Sequence, residues 1–157
     1  MKPQVVLFVC TGNVCRSPMA EYLLRPGLPK EWETGSAGLY AATGATASQE
    51  AIDVLARRKI DLTPHRSRPL NREHVDAASI VVVMTRAHRE QFRARFPEAE
   101  DKAYLLTTFD PTAGGSDIGD PIGLTGAIYE ETCSRLEAAM NGMLCYIKTF
   151  NSERKTQ

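Results

Sequence analysis

The 157-residue chain carries no excess of either charge, since 19 lysines and arginines balance 19 aspartates and glutamates. No global field draws it to nucleic acid or to a membrane, so an anionic substrate needs a local site. No apolar run approaches the roughly 20 residues of a membrane-spanning helix. The run at residues 5–9 is too short and wrongly flanked for a secretory signal. Cysteine is scarce, at positions 10, 15, 133 and 145, and shows no pair of Cys-x2-Cys arms for zinc. A reduced, cytoplasmic protein is the expectation. Internal repeats and a second composition regime are also absent. What remains is ordinary for a globular chain: 43% apolar and 24% charged residues. This length supports one domain over residues 1–150, with a polar tail at 151–157.

One loop breaks this plain pattern. Cys10-Thr11-Gly12-Asn13-Val14-Cys15-Arg16-Ser17 follows the apolar run and precedes Pro18-Met19-Ala20-Glu21, a helix start. Inward N–H groups of a curled loop form an anion-binding nest, and the helix adds the positive end of its dipole. Gly12 permits a backbone conformation closed to most residues. Asn13 tolerates a left-handed one and can hold the curl by hydrogen bonds. Arg16 offers a planar fork for two phosphate oxygens. Cys10, at the floor, is the nucleophile as its thiolate. Ser17 can donate to the sulfur during attack and departure. Attack on phosphorus would give a phosphocysteine intermediate. The leaving atom needs a proton and water must later be activated, and one carboxyl group can serve both steps. Nest, arginine and thiolate together call for no metal or cofactor.

The stretch Val6-Leu7-Phe8-Val9-Cys10-Thr11-Gly12-Asn13-Val14-Cys15-Arg16-Ser17-Pro18-Met19-Ala20-Glu21 closely resembles the signature of the low-molecular-weight protein tyrosine phosphatases. Further matches follow in the family's order: Ser36-Ala37-Gly38, His65-Arg66-Ser67-Arg68, Ile80-Val81-Val82-Val83-Met84-Thr85 and Asp120-Pro121. The likeness extends to about Tyr146. It implies Cys10 as nucleophile, Arg16 as phosphate ligand and Asp120 as general acid. It also implies Asn13, Ser17, Ser36 and His65 as hydrogen-bonding supports of the loop. Phosphorylated proteins are the implied substrates. Asp110 and Asp117 are local competitors that only the resemblance sets aside.

Two positions depart from the tyrosine-specific pattern. Thr11 stands where a bulky aliphatic residue is common, and Ile122-Gly123 stand where aromatics follow Asp-Pro. The pattern is more similar to the protein-arginine-phosphatase branch, although a phenylalanine at 122 would match better. Thr11, Tyr40 and Ile122 are therefore the candidate selectivity residues, with phosphoarginine favoured and phosphotyrosine the alternative. Tyr40 lines the cradle's entrance or is a partly buried loop aromatic. Cys15 either captures an oxidised Cys10 or fills space. Arsenate reduction is a poor rival, because no cysteine lies between Cys15 and Cys133. A non-catalytic phosphoprotein-binding module has no need to keep both nucleophile and acid.

The remaining pattern alternates strands with helices. Strands are expected at 4–9, 32–36, 80–84 and 103–107, with helices from 17, directly after Thr46, around 72, from 86 and beyond 125. Thr46-x-x-Gln49 reads as a capping box and Thr85 as a helix cap. Leu136, Met140, Met143, Leu144 and Ile147 form one face of the last helix, and Cys133 and Cys145 are expected in the core. The expected fold is a three-layer α/β/α unit with a central, mainly four-stranded parallel sheet, its ligand site at the carboxyl end of the first strand.

Overall fold

The computed structural model describes the backbone of residues 2–155 and the side chains of residues 2–150. Four strands, β1 (Gln4–Cys10), β2 (Trp32–Gly38), β3 (Ile80–Val83) and β4 (Ala103–Leu105), form one sheet in the order β2-β1-β3-β4. Every pairing is parallel. The helices are α1 (Arg16–Leu24), α2 (Gln49–Ala56), α3 (Arg72–Ala77), α4 (Arg86–Arg95) and α5 (Gly126–Lys155).

The continuous apolar run of β1 is explained by burial on both faces. Val6, Phe8 and Cys10 join the core beneath α1, α2 and α5, whereas Leu7 and Val9 join the core beneath α3 and α4. β3 alternates likewise, with Ile80 and Val82 on one side and Val81 and Val83 on the other. The expected three layers follow from this two-sided alternation. β1 has β2 on one side and β3 on the other, so the strand order reverses at its carboxyl end. Such a reversal opens a crevice for ligands, and the Cys10 loop leaves the sheet there.

Helix ends follow short-range chemistry, with some corrections. Thr85 caps α4 as expected, accepting from His88 N at 3.0 Å. For α2 the cap is Ser48, which accepts from Ala51 N, and not Thr46. Thr46 instead bridges antiparallel to Arg66. α2 ends without glycine because Lys59 takes a left-handed conformation with φ 62°, the geometry that closes many helices. β4 is shorter than expected, since residues 106–109 wind into a 3-10 turn. α5 extends through 151–155, so the first five residues of the expected tail are helical, and 156–157 lie outside the described residues. Cys133 is buried but Cys145 is exposed. Twelve positions at 100° each place Cys145 about 120° from Cys133 around the helix, off the apolar face. Among the described residues, no helix is long and apolar enough to cross a membrane.

One contact locks α5 to the end of the sheet. A Cβ added at Gly142 would lie 2.0 Å from the Phe109 carbonyl oxygen. Backbone cannot yield as a side-chain tip can. Gly142→Ala is therefore expected to cost about 3 kcal/mol, read by urea denaturation. A loss below about 0.5 kcal/mol, the range of a neutral surface change, would show that the helix is free to shift.

Candidate active site

The loop after β1 curls because its carbonyls are pulled outward. Cys10 O accepts from Leu39 N (2.9 Å), Thr11 O from Tyr40 N (3.0 Å), Val14 O from Ser48 N (3.0 Å) and Cys15 O from Met19 N (3.1 Å). Among the described residues, no backbone N–H of residues 11–16 donates to a protein acceptor. The N-terminus of α1 adds to this set, with neither a side-chain cap nor an acidic residue in its first turn. Uncommitted donors on the concave side of a curl are an anion site.

Asn13 is the keystone of the curl. It takes the left-handed conformation that its residue type tolerates, with φ 57°. Gly12 has no positive φ, and a Cβ there would meet only Val14 Cγ2 at 3.9 Å. Asn13 is fully buried, and both ends of its side-chain amide are engaged. Its Nδ2 donates to Ser17 Oγ (2.8 Å) and its Oδ1 accepts from Arg68 N (3.0 Å). Its carbonyl accepts from His65 Nε2 at 2.7 Å. A carbonyl can only accept, so the His65 proton sits on Nε2, and burial lowers this imidazole's pKa and keeps it neutral. Gly38, on β2, lets the loop pass close by: a Cβ there would lie 2.5 Å from Thr11 O and 3.2 Å from Asn13 Cβ. Among the described residues, Ser36 makes no hydrogen bond to the loop. Its hydroxyl donates to Glu21 Oε1 (2.7 Å), and its carbonyl accepts from Arg68 Nε (2.8 Å). Its support is passed on through Arg68.

Cys10 lies at the floor, buried, with Sγ 2.8 Å from Ser17 Oγ. Ser17 already accepts from Asn13, so its own proton is free for the sulfur. In that arrangement every polar atom of the trio is satisfied with the sulfur as acceptor. Arg16 is buried too. Its Nη1 donates to Ile118 O (2.9 Å) and its Nη2 lies 3.6 Å from Asp120 Oδ2. Asp120 is fixed in turn by Ile122 N, which donates to its Oδ1 at 3.1 Å. The competing aspartates are occupied elsewhere. Asp117 accepts from Arg86 N at the start of α4 (2.9 Å), and Asp110 closes its own turn onto Thr112. Asp120 alone of the three approaches the arginine of the loop among the described residues.

The rim holds the selectivity candidates. Tyr40 is 70% exposed, which favours the entrance position over the buried one, and Ile122 is also exposed. Thr11 Oγ1 meets His88 Nε2 at 2.8 Å. His88 has no signal of its own in the sequence. The available hint is its place three residues after the Thr85 cap, on a helix leaving the strand beside β1. Cys15 Sγ lies 3.3 Å from Tyr129 OH and donates to Ser48 Oγ at 3.4 Å. Burial raises its thiol pKa despite those two contacts. Among the described residues, no group of three or more His, Cys, Asp or Glu is arranged to hold a metal.

These parts can bind a tetrahedral dianion, present a sulfur beneath it, and bring a carboxyl group to its edge. Comparisons with known proteins agree with that reading. Residues 5–156 match the family described as Low molecular weight phosphotyrosine protein phosphatase. A protein-arginine-phosphatase of Geobacillus stearothermophilus is 41% identical over 147 residues, covering 94% of this chain and 98% of the relative. A solved structure of the YwlE arginine phosphatase from that organism superposes with a TM-score of 0.88 at 40% identity, over 96% of this chain and 97% of the other. A YwlE mutant with a phosphorylated active-site serine in place of cysteine superposes with a TM-score of 0.85 at 32% identity, over 92% and 96% of the two chains.

Proposed function

The chain belongs to the low molecular weight phosphotyrosine protein phosphatase family, and from that premise we propose that it hydrolyses phosphoarginine on proteins through a phosphocysteine intermediate. The observation that carries the chemistry is the juxtaposition at the end of β1. Cys10 Sγ, Ser17 Oγ, the uncommitted N–H groups, Arg16 and Asp120 meet around one concave loop. Cys10 attacks phosphorus as the scissile bond opens on the far side. Arg16 and the loop amides hold the three equatorial oxygens. Asp120 gives its proton to the departing atom, then takes one from the water that attacks the phosphocysteine. The reducing cytoplasm suits a nucleophilic thiol, and Cys10 and Cys15 are both free.

Thr11 supports the arginine preference. It places a hydroxyl on the residue next to the nucleophile, where a guanidinium N–H finds an acceptor that a tyrosyl ester cannot use. The arginine phosphatases among the relatives point the same way. The tyrosine reading has its own observation, because exposed Tyr40 and Ile122 offer an apolar wall to a phenyl ring. Steady-state kcat/KM on a phosphoarginine protein and a phosphotyrosine peptide separates the two. The wild type is expected to prefer phosphoarginine, and Thr11→Ile to shift the ratio toward tyrosine by about tenfold to a hundredfold, the worth of one buried hydrogen bond. A wild-type preference for tyrosine would reject the arginine reading.

A further inference from the structure

A buried histidine stands beside the proposed selectivity residue, where the charges of Arg16 and Asp120 reach its ring. His88 is 5% exposed and sits in the first turn of α4, its backbone N–H tied to Thr85 Oγ1. Its Nε2 meets Thr11 Oγ1 at 2.8 Å. Its Nδ1 is buried with no hydrogen-bond partner among the described residues. For stability alone such a side chain is a poor choice, because an apolar residue would fill the space without orphaning a polar atom. The contact to Thr11 is the one thing the imidazole supplies that an apolar residue could not.

The chemistry of that contact is constrained. Burial, and then the charge of Arg16, hold the imidazole pKa at about 4, so the ring is neutral near pH 7. An orphaned N–H is costlier than an orphaned lone pair, which puts the proton on Nε2 and leaves Nδ1 bare. His88 then donates, and Thr11 Oγ1 accepts. Threonine can exchange its hydroxyl and methyl by one rotation about χ1. With the methyl forward it would resemble the aliphatic residue of the tyrosine-type pattern. The donated hydrogen bond fixes the rotamer with Oγ1 toward His88, on the side where the charges of Arg16 and Asp120 reach the ring. Thr11 is itself exposed, and it retains one lone pair and its own proton for substrate. The neutral ring also adds no positive charge beside a cationic guanidinium.

We propose that His88 is the positioning residue for phosphoarginine selectivity, holding the Thr11 hydroxyl so that its oxygen and not its methyl group faces the departing guanidine. This rests on the phosphoarginine reading above. The experiment measures kcat/KM on a phosphoarginine protein and on p-nitrophenyl phosphate for wild type, His88→Ala, His88→Leu, His88→Gln, Thr11→Val and the His88→Ala/Thr11→Val double variant. His88→Ala is expected to lower the phosphoarginine to p-nitrophenyl phosphate ratio about tenfold. His88→Gln, whose amide can still donate, should recover most of the ratio. The double variant should have the ratio of Thr11→Val alone, since both changes remove one contact. His88→Leu fills the same space without a donor and gives the same reading should the alanine variant fold poorly. A loss shared equally by both substrates, or effects of the two single variants that multiply, would reduce His88 to packing and overturn the inference. If the wild type prefers phosphoarginine and Thr11→Ile erases that preference while His88→Ala leaves the ratio intact, only the His88 inference falls. If the wild type shows no phosphoarginine preference, both readings fall together.

Discussion

Cys10→Ser is expected to abolish turnover of phosphoprotein and p-nitrophenyl phosphate alike, by on the order of 10⁴-fold or more, while the protein still binds inorganic phosphate. The two halves of this result come from different parts of the loop. Binding belongs to the amides of residues 11–16, to the α1 N-terminus and to Arg16, none of which the substitution touches. Attack belongs to the sulfur. Serine puts a hydroxyl at the same floor, next to the same Ser17 donor, but a hydroxyl is a weak nucleophile without an adjacent base. Among the described residues the hydrogen-bond partner of Cys10 Sγ is the Ser17 hydroxyl, which is no base. Phosphate release and calorimetric phosphate binding, measured on the same preparation, test both halves. Residual turnover within about tenfold of wild type would remove the covalent mechanism, and loss of phosphate binding would show that the sulfur also organises the nest. Arg16→Lys should weaken phosphate binding and turnover together, since a point charge replaces a fork.

How much of this is legible in the sequence depends on whether the cause is local. The apolar run of β1 and the Thr85 cap of α4 depend on residues near one another in the chain, and the structure has both where the sequence places them. The α2 cap lies two residues from its expected position. Thr46 and Ser48 are both capable caps, and it is the bridge to Arg66, twenty positions on, that takes Thr46 out of the helix. Gly12 and Asn13 can both take a left-handed conformation on propensity, and Asn13 has it because Ser17, Arg68 and His65 all bind it. The resemblance places Ser36 against the loop, but its hydroxyl leaves β2 toward α1, where Glu21 accepts it. The close passage at Gly38 and the His88 contact join segments far apart in the chain. Neither has a periodicity or motif to announce it.

The same distinction bears on the acid. Asp110, Asp117 and Asp120 have similar surroundings in sequence, and their hydrogen bonds in the fold separate them. Asp120→Asn is expected to slow phosphoarginine and phosphotyrosine hydrolysis by about 10²- to 10⁴-fold, with a different signature on p-nitrophenyl phosphate. That substrate leaves as a stabilised phenolate and needs no proton, so phosphocysteine still forms. Its hydrolysis then lacks a base for water, because the amide that replaces the carboxylate would accept no proton. The variant should therefore show a rapid burst of p-nitrophenolate, close to one equivalent per active site, followed by slow turnover. On phosphoarginine the burst should vanish, since the guanidine cannot depart unprotonated. Asp110→Asn, whose carboxylate only closes a turn, should stay within about twofold of wild type, as expected of a surface change. Asp117→Asn keeps one oxygen for Arg86 N and should behave likewise. A stopped-flow trace without a burst, or an equal loss in all three variants, would take Asp120 out of the second step and leave its contact with Arg16 as an electrostatic one alone.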